Sequence, residues 1–251
     1  MRLNRFLAAA GLGSRRAVEQ MIRDGRVAVN GQTVTQLATQ VDERRDRVEL
    51  DGRPVRPAAQ TLYLMLNKPR GYDVTRGGRH HHRRVYDLLP REVHPSVQAV
   101  GRLDRNSTGL LLFTNDGDLN FRLTHPRHGC HKHYEVLVEG VVDDETLEIF
   151  REGIRLEDGP AQAVEVARLE PTGPETTRLR IVMAEGRKHI VRRMCEAAGH
   201  PVLELDRTAV GPVRLGDLAR GKVRPLTRRE VAALKRSVGL TADPPTRSGR
   251  P

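Results

Sequence analysis

A proline-containing segment early in the chain is the feature that most constrains the fold. Residues 53–59 carry two prolines, which is typical of a short, stiff linker. We therefore expect two domains, one at residues 1–56 and one at residues 62–236, joined by a linker at residues 57–61. Residues 237–251 are rich in Pro, Ser and Arg without periodicity and are expected to form a disordered tail.

The first domain has the pattern of a helix pair followed by short strands. Apolar residues recur at helical spacing within the first ten positions, and Ser14 is a suitable N-cap for a second helix, Arg15–Asp24. The alternation at Arg26–Val29 predicts a strand, and the Asn30-Gly31 pair after it is a strong hairpin signal. A further short strand is expected at Arg47–Leu50.

Arginines are concentrated in this helix pair, within a chain that is strongly basic throughout. Lys and Arg number 43 against 32 Asp and Glu, which gives a net charge of +11. A globular protein this basic usually binds a polyanion, because neutralising phosphates releases condensed counterions. A solvated helix face is the alternative, but phosphate contact is favoured. The arginines of this domain that we expect to bind RNA are Arg2, Arg5, Arg15, Arg16 and Arg26.

The second domain is expected to contain a mixed, mainly antiparallel sheet. It opens with an apolar strand at Leu62–Leu66, after which strand-like and helix-like stretches alternate irregularly between many Gly and Pro turns. This irregular alternation favours an α+β fold over a regular array of parallel strands and helices.

One segment of the second domain places an aspartate between two arginines, ahead of an apolar strand. Residues 101–117 have the sequence GRLDRNSTGLLLFTNDG, with Asp104 in the polar loop and the strand at Leu110–Phe113. An aspartate in a turn is by itself more often a backbone cap than a catalyst. The whole string, however, resembles the signature of the RsuA/RluB family of ribosomal RNA pseudouridine synthases.

Other segments extend the resemblance over nearly the whole chain. Residues 185–207, EGRKHIVRRMCEAAGHPVLELDR, resemble the family's second signature, and residues 132–136, KHYEV, resemble its tyrosine motif. The first domain resembles the alpha-L domain, a small RNA-binding module first named for a small-subunit ribosomal protein. That module implies RNA binding without implying any particular chemistry.

The family resemblance implies that the protein isomerises uridine to pseudouridine. The reaction breaks the bond from ribose C1′ to N1 of uracil, turns the base and joins C1′ to C5. Asp104 is implied as the reacting carboxylate, either as a nucleophile or as the base that begins glycal formation. Tyr134 is implied to stack on the uracil and to help remove the C5 proton, and Arg192 to pair with Asp104. Arg192 lies in a helix expected to begin near Lys188. Arg193 is the neighbouring candidate, but the two side chains point about 100° apart on a helix, so both cannot face the site.

A uridine within a helix must leave its stack before it reacts, which requires a clamp on the RNA backbone. The basic stretch from Lys68 to Arg84 is opposed only by Asp73 and is predicted to hold phosphates. Either Arg102 or Arg105 is a candidate to fill the space that the base vacates. The residues of this domain expected to bind RNA are Lys68, Arg70, Arg102, Arg105, Lys132, Arg187 and Lys188.

We expect neither a metal nor a cofactor. Four histidines and Cys130 fall within residues 125–133, but one cysteine without a second close pair fits no standard zinc spacing. The reaction is redox-neutral and needs no external energy source. Cys130 and Cys195 are far apart and suggest no disulfide, and the apolar stretch Phe6–Leu12 is too short for a membrane span. A cytoplasmic protein that does not bind membranes is therefore expected.

The expected partner is ribosomal RNA or a ribosomal assembly intermediate, bound by a monomer. The signatures favour the RNA of the large subunit over that of the small subunit. Two alternatives remain open, which are a non-catalytic RNA-binding or ribosome-assembly factor and a synthase acting on another RNA. The combination of Asp104, Tyr134 and Arg192 argues against the first, because a binding module has no need of it.

Overall fold

The computed structural model describes residues 1–13, 15–56, 60–77, 82–169 and 174–240, with the backbone alone for Arg15 and Arg16. The N-cap expected at Ser14, residues 57–59 of the expected linker and residues 241–251 of the expected tail lie outside this part of the chain.

Helices and strands alternate irregularly along these residues, as the sequence predicts. The α-helices are α1 (Leu3–Ala9), α2 (Arg15–Arg23), α3 (Gly117–Thr124), α4 (Asp144–Glu152), α5 (Ile190–Ala197) and α6 (Arg228–Ser237), and short 3₁₀ helices lie at Val85–Leu88 and Pro126–His128. The strands are β1 (Val27–Val29), β2 (Gln32–Thr33), β3 (Val48–Leu50), β4 (Arg53–Val55), β5 (Tyr63–Lys68), β6 (Tyr72–Asp73), β7 (Arg83–Arg84), β8 (Gln98–Ala99), β9 (Thr108–Thr114), β10 (Lys132–Glu139), β11 (Ile154–Leu156), β12 (Gly159–Ala161), β13 (Glu165–Arg168), β14 (Thr176–Met183), β15 (Val202–Val210), β16 (Val213–Arg214) and β17 (Val223–Pro225).

The first compact unit contains the expected helix pair and a four-stranded antiparallel sheet in the order β2-β1-β3-β4. Asn30 and Gly31 have φ angles of 52° and 82°, and Val29 pairs with Gln32 across the turn. Two consecutive positive φ values are what a tight hairpin turn requires, so the predicted hairpin is confirmed. The helices and strands share a core of buried apolar side chains, which are Leu3, Phe6, Leu7, Val18, Ile22, Val27, Val41 and Val48.

This unit also includes residues that the sequence places in the second domain. It comprises Met1–Tyr63, Leu89–Gln98 and Phe113–Gly117. The backbone N–H of Leu62 donates to Asn115 Oδ1 at 2.8 Å, and the hydroxyl of Thr114 donates to the carbonyl of Leu62 at 2.7 Å. These hydrogen bonds connect positions about fifty residues apart, which no local pattern indicates.

The second unit is built on a nine-stranded sheet. Seven strands follow the order β13-β14-β10-β15-β9-β5-β17, while β16 pairs with β15 and β8 pairs with β9. The ladders β10–β14, β10–β15, β13–β14 and β5–β17 are antiparallel, whereas β9 and β15 run parallel. The mixed, mainly antiparallel sheet predicted from the sequence is therefore confirmed.

None of the helices in the described ranges is long and apolar enough to cross a membrane. Cys130 and Cys195 are both buried and free, as their separation in the sequence suggests.

Candidate active site

A cavity of about 290 Å³ lies in the second unit, where several elements of the large sheet meet α5. Its wall includes residues 100–104, which precede β9, the side chains of Lys132 and Tyr134 from β10, and residues 186–192, which lead into α5. Leu205, Arg207 and Val210 of β15 complete one side. The three residues expected to carry catalysis, Asp104, Tyr134 and Arg192, therefore all line one cavity.

Asp104 lies in the loop before β9, with its side chain 40% exposed. The loop closes on itself where the N–H of Ser107 donates to the carbonyl of Asp104 at 3.0 Å. Gly109, two residues later, pairs with Arg207 in the parallel ladder and fixes the start of β9. The carboxylate is thus held just before the start of the buried strand β9, where it remains accessible from the cavity.

Lys68 braces this loop from inside the protein. Its ammonium donates to the carbonyls of Ser107 at 2.7 Å and of Pro69 and Arg105 at 3.2 Å each. Burial lowers the pKa of Lys68 to about 8, although the nearby carboxylates act in the opposite direction. The side chain is 0% exposed, so the prediction that Lys68 binds RNA is wrong. The three carbonyls supply the hydrogen bonds that a buried ammonium needs.

His189 is the residue that contacts the Asp104 carboxylate. Its Nε2 lies 3.1 Å from Oδ1 of Asp104, and its backbone is left-handed, with a φ of 54°. The residue occupies the N-cap position of α5 but makes no side-chain capping hydrogen bond. A histidine in this conformation is uncommon and indicates a constrained position. His189 is not among the residues that the sequence predicts for the site. The one signal that could have identified it is its position in a basic segment directly before α5.

Arg192 departs from the expectation that it pairs with Asp104. It lies in the first turn of α5, and its Nη1 donates to the carbonyl of Val202 at 3.2 Å. Among the described residues, the side chain in contact with the Asp104 carboxylate is that of His189, so the expected pairing with Arg192 is wrong for this structure. The helix start at Ile190 brings the preceding imidazole, rather than the guanidinium, against the carboxylate. Arg193 binds Asp158 at 2.8 Å and is directed to a different partner.

Tyr134 and Lys132 lie on the same face of β10, because side chains alternate along a strand. Tyr134 is 8% exposed and Lys132 is 9% exposed, so each can meet only a group that enters the cavity. Burial lowers the pKa of Lys132. A contact between Lys132 and RNA would therefore involve the reacting nucleotide rather than the outer backbone.

Two further polar side chains of the cavity wall keep unused hydrogen-bonding atoms. Arg207 is 3% exposed and donates from Nε to the carbonyl of Leu110 at 2.8 Å, while its Nη2 is buried without a partner. The hydroxyl of Ser107 is likewise buried without a partner among the described residues. Unpaired buried polar groups are costly, and functional sites are where they are commonly kept.

The remaining residues expected to bind RNA differ in their exposure to solvent and in whether they already have a partner in the protein. Arg70, Arg102, Arg105 and Lys188 are exposed, as are Arg2, Arg5 and Arg26 of the first unit. Arg26 is paired with Asp51, because its Nε donates to Oδ1 of that carboxylate at 3.0 Å. Arg187 is only partly exposed and binds Glu185 and Asp158, so its guanidinium holds the loop before α5. The side chains of Arg15 and Arg16 lie outside the described part of the chain.

Within the described residues, no group of three or more His, Cys, Asp or Glu side chains is arranged to hold a metal ion.

Comparison with known proteins assigns both parts of the chain. Residues 62–197 match the family model described as RNA pseudouridylate synthase, and residues 1–48 match the S4 domain. The first of these ranges contains Asp104, Tyr134 and Arg192, and the second contains the helix pair.

Several named proteins are similar over most of the chain. Ribosomal small subunit pseudouridine synthase A of Escherichia coli (strain K12) is 40% identical over 236 residues, which are 93% of this chain and 100% of that protein. Ribosomal large subunit pseudouridine synthase B of Pseudomonas aeruginosa is 40% identical over 244 residues, which are 95% of this chain and 63% of that protein. A crystal structure of a pseudouridylate synthase has a TM-score of 0.65 at 30% identity and covers 93% of this chain and 99% of its own.

Proposed function

The chain belongs to the RNA pseudouridylate synthase family, and on that basis we propose that it converts chosen uridines of ribosomal RNA to pseudouridine. The observation that carries the proposal is the cavity that brings Asp104 and Tyr134 together at the end of a buried strand. The two relatives named as ribosomal large subunit and small subunit pseudouridine synthases support this choice of substrate. The net charge of +11 suits a substrate that is a polyanion.

Asp104 is the group that we propose to react with the nucleotide. Its carboxylate attacks the nucleotide or removes a proton to begin glycal formation, and either route frees the base from C1′. The freed base turns within the cavity and C1′ bonds to C5, as the bond from the carboxylate to the nucleotide breaks or the proton that the carboxylate removed returns to the sugar. C5 then loses its proton, and N1 gains one. Tyr134 forms the surface on which the uracil lies and helps to remove that proton. Atoms and electrons balance within the nucleotide itself, so the reaction requires no oxidant and no energy source.

Base flipping is part of the proposal, because Tyr134 and Lys132 are nearly buried in the cavity wall. A base that remains stacked in an RNA helix cannot reach side chains in such a position. Arg102 and Arg105 flank Asp104 and are exposed, which supports the proposal that one of them fills the space that the base vacates. Single-stranded loops and bulges are the expected targets, because their bases cost less to turn out.

The large subunit remains our favoured source of the target RNA. The two relatives, one named for each subunit, are equally similar at 40% identity, so a direct assay has to decide. Purified protein is to be incubated with unmodified transcripts of large- and small-subunit RNA, and with assembly particles of each, before pseudouridines are mapped. Modification of large-subunit RNA alone is the expected result. Modification of small-subunit RNA alone would contradict the preference for the large subunit, and modification of neither RNA would support one of the alternatives.

We further propose that the protein acts as a monomer in the cytoplasm, on ribosomal RNA or an assembly intermediate. Free Cys130 and Cys195 are compatible with a reducing compartment.

The first prediction concerns RNA binding by the first unit. Replacing Arg2 and Arg5 by Ala should weaken ribosomal RNA binding and lower the slope of log affinity against log salt by about 0.7–0.9 for each phosphate that is no longer neutralised. Both side chains are exposed on or beside α1, so folding should be unaffected. Titrations at several salt concentrations measure the slope. Removal of Arg151 and Arg155, which are exposed in the second unit, is the charge-matched control. Equal slopes for the wild type and the Arg2 and Arg5 variant would refute the contact.

The second prediction concerns His189. His189→Ala removes the 3.1 Å contact between the imidazole and the Asp104 carboxylate, and we expect kcat to fall about 10- to 100-fold with little change in KM, because a misplaced reacting group slows chemistry more than binding. His189→Asn keeps a donor and tolerates the left-handed backbone, so it should recover part of the loss. His131→Ala, an exposed histidine outside the cavity wall, is the control. An unchanged kcat for His189→Ala would show that this contact has no part in positioning Asp104.

A further inference from the structure

A cluster of aromatic rings lies on the surface of the second unit, at the end of α3 and in the 3₁₀ helix after it. The ring of Phe121 lies 5.0 Å from that of His125 and 5.8 Å from that of His128, measured between centroids. The two histidine rings are 6.3 Å apart and nearly perpendicular. The guanidinium of Arg127 lies over the Phe121 ring, 5.0 Å from its centroid. Three rings and one cation thus form a single patch, which we call the aromatic platform.

Hydrogen bonds hold the platform in place. The Nε of Arg127 donates to Nε2 of His128 at 3.0 Å, and the backbone N–H of Arg127 donates to Nδ1 of His125 at 3.3 Å. Both histidines use a ring nitrogen as an acceptor, so these nitrogens are not free to bind a metal. Burial, with the charge of Arg127 added, lowers the pKa of His128, which favours the neutral ring. The rings are therefore already ordered. A ligand that stacks on them does not have to immobilise these side chains, so the entropic cost of binding is lower.

The platform is exposed although aromatic residues are rare in this chain. Phe121 is 39% exposed, while aromatic residues make up only 3% of the sequence. His125 and Arg127 are exposed as well. The contacts of Phe121 with two histidine rings and one guanidinium make a continuous exposed patch rather than a single exposed apolar side chain, and such patches mark binding sites.

The platform lies next to the candidate active site. Leu123 and Thr124, on the same helix as Phe121, line the cavity that contains Asp104. Three residues along an α-helix span about 4.5 Å, so Phe121 is within one nucleotide's reach of the cavity wall. The methyl group of Thr124 also lies close to Gly101, in the segment that leads to Asp104.

We propose that the aromatic platform binds an unpaired nucleobase of the RNA beside the target uridine, by stacking on Phe121 and the neighbouring rings. The proposal rests on the proposed function, because it assumes an RNA substrate. Bases of single strands stack on aromatic side chains and on arginine, whatever their sequence, and the Arg127 charge attracts the backbone. A base displaced from its neighbours when the uridine flips would be stabilised in this position. The charge of the platform favours RNA over an apolar protein partner.

The experiment measures kcat and KM for Phe121 variants on protein-free ribosomal RNA transcripts. Phe121→Ala should raise KM about tenfold with kcat unchanged at saturating RNA, since one base no longer stacks. Phe121→Trp should keep the wild-type KM, whereas Phe121→Leu, which is apolar without a π face, should behave like Ala. Ile149→Ala on α4 is the matched control, because Ile149 is also 39% exposed, and its KM should not change.

The outcomes separate this proposal from the proposed function. No pseudouridine formation by the wild type on any ribosomal RNA transcript or particle would overturn the proposed function and this proposal with it. Wild-type activity together with a KM for Phe121→Ala within twofold of normal would overturn the platform alone. An effect that occurs only on ribosomal particles, and not on protein-free RNA, would identify a protein contact instead and would also overturn it. Melting temperatures equal to that of the wild type exclude misfolding as the cause.

Discussion

Asp104→Asn should abolish turnover while leaving the fold and most of the RNA affinity intact. The substitution removes the negative charge and nearly preserves the shape of the side chain, and no other described carboxylate lines the cavity. We expect the rate to fall on the order of 10⁴-fold, because the amide can neither attack the nucleotide nor accept a proton. Release of tritium from RNA labelled at uridine C5 measures the rate, since the C5 proton leaves when pseudouridine forms.

Two nearby aspartates serve as controls for Asp104. Asp116 accepts a hydrogen bond from the hydroxyl of Tyr63 at 2.9 Å, and Asp118 lies in the first turn of α3, so neither belongs to the cavity wall. Their Asn variants should stay active. Tritium release near the wild-type rate by Asp104→Asn would defeat the assignment of this residue and the mechanism built on it.

Gly109→Ala should strongly destabilise the second unit, although it adds only one methyl group. Gly109 has a φ of 98°, a region that L side chains avoid, at the point where β9 and β15 run parallel. A Cβ atom there would overlap the Asp206 carboxylate and the carbonyl of Arg207, and would lie 2.7 Å from the backbone nitrogen of Arg207. Backbone strain and overlap together should cost about 3–5 kcal/mol. The melting temperature should fall by about 10 °C or more, as calorimetry would measure.

Gly71→Ala isolates the part of this destabilisation that comes from the backbone angle. Gly71 has a similar φ of 87°, but nothing lies within 4 Å of a Cβ placed there. The substitution should therefore cost only about 1 kcal/mol. Equal melting temperatures for the two variants would contradict the close approach of β9 to β15.

Local patterns predict much of the fold. The Asn30-Gly31 turn forms as expected, because its backbone geometry depends on two adjacent residues. The strand expected at Leu110–Phe113 lies within β9, because a buried strand shows as a continuous apolar run. The helix expected near Lys188 begins at Ile190, because sequence signals fix the start of a helix only to within one or two residues.

Local sequence patterns do not predict contacts between residues that are distant in the chain. The sequence assigns Lys68 to RNA because it begins a basic stretch, but its ammonium donates to carbonyls of the loop that contains Asp104, among them those of Arg105 and Ser107. The family resemblance pairs Arg192 with Asp104, whereas the left-handed backbone of His189 brings the imidazole to that carboxylate. The first placement depends on β5 meeting the loop before β9, and the second on that loop meeting the residue before α5. The sequence near each of these elements contains no sign of the other.

Mapping every pseudouridine in ribosomal RNA shows whether the protein is the synthase that its site implies. The RNA is to be taken from cells that carry the gene, from cells that lack it, and from cells that lack it but express Asp104→Asn. We expect one or a few defined pseudouridines in the first cells, at positions that remain uridine in the other two. An unchanged set of pseudouridines in cells without the gene, or its restoration by Asp104→Asn, would contradict the proposed function.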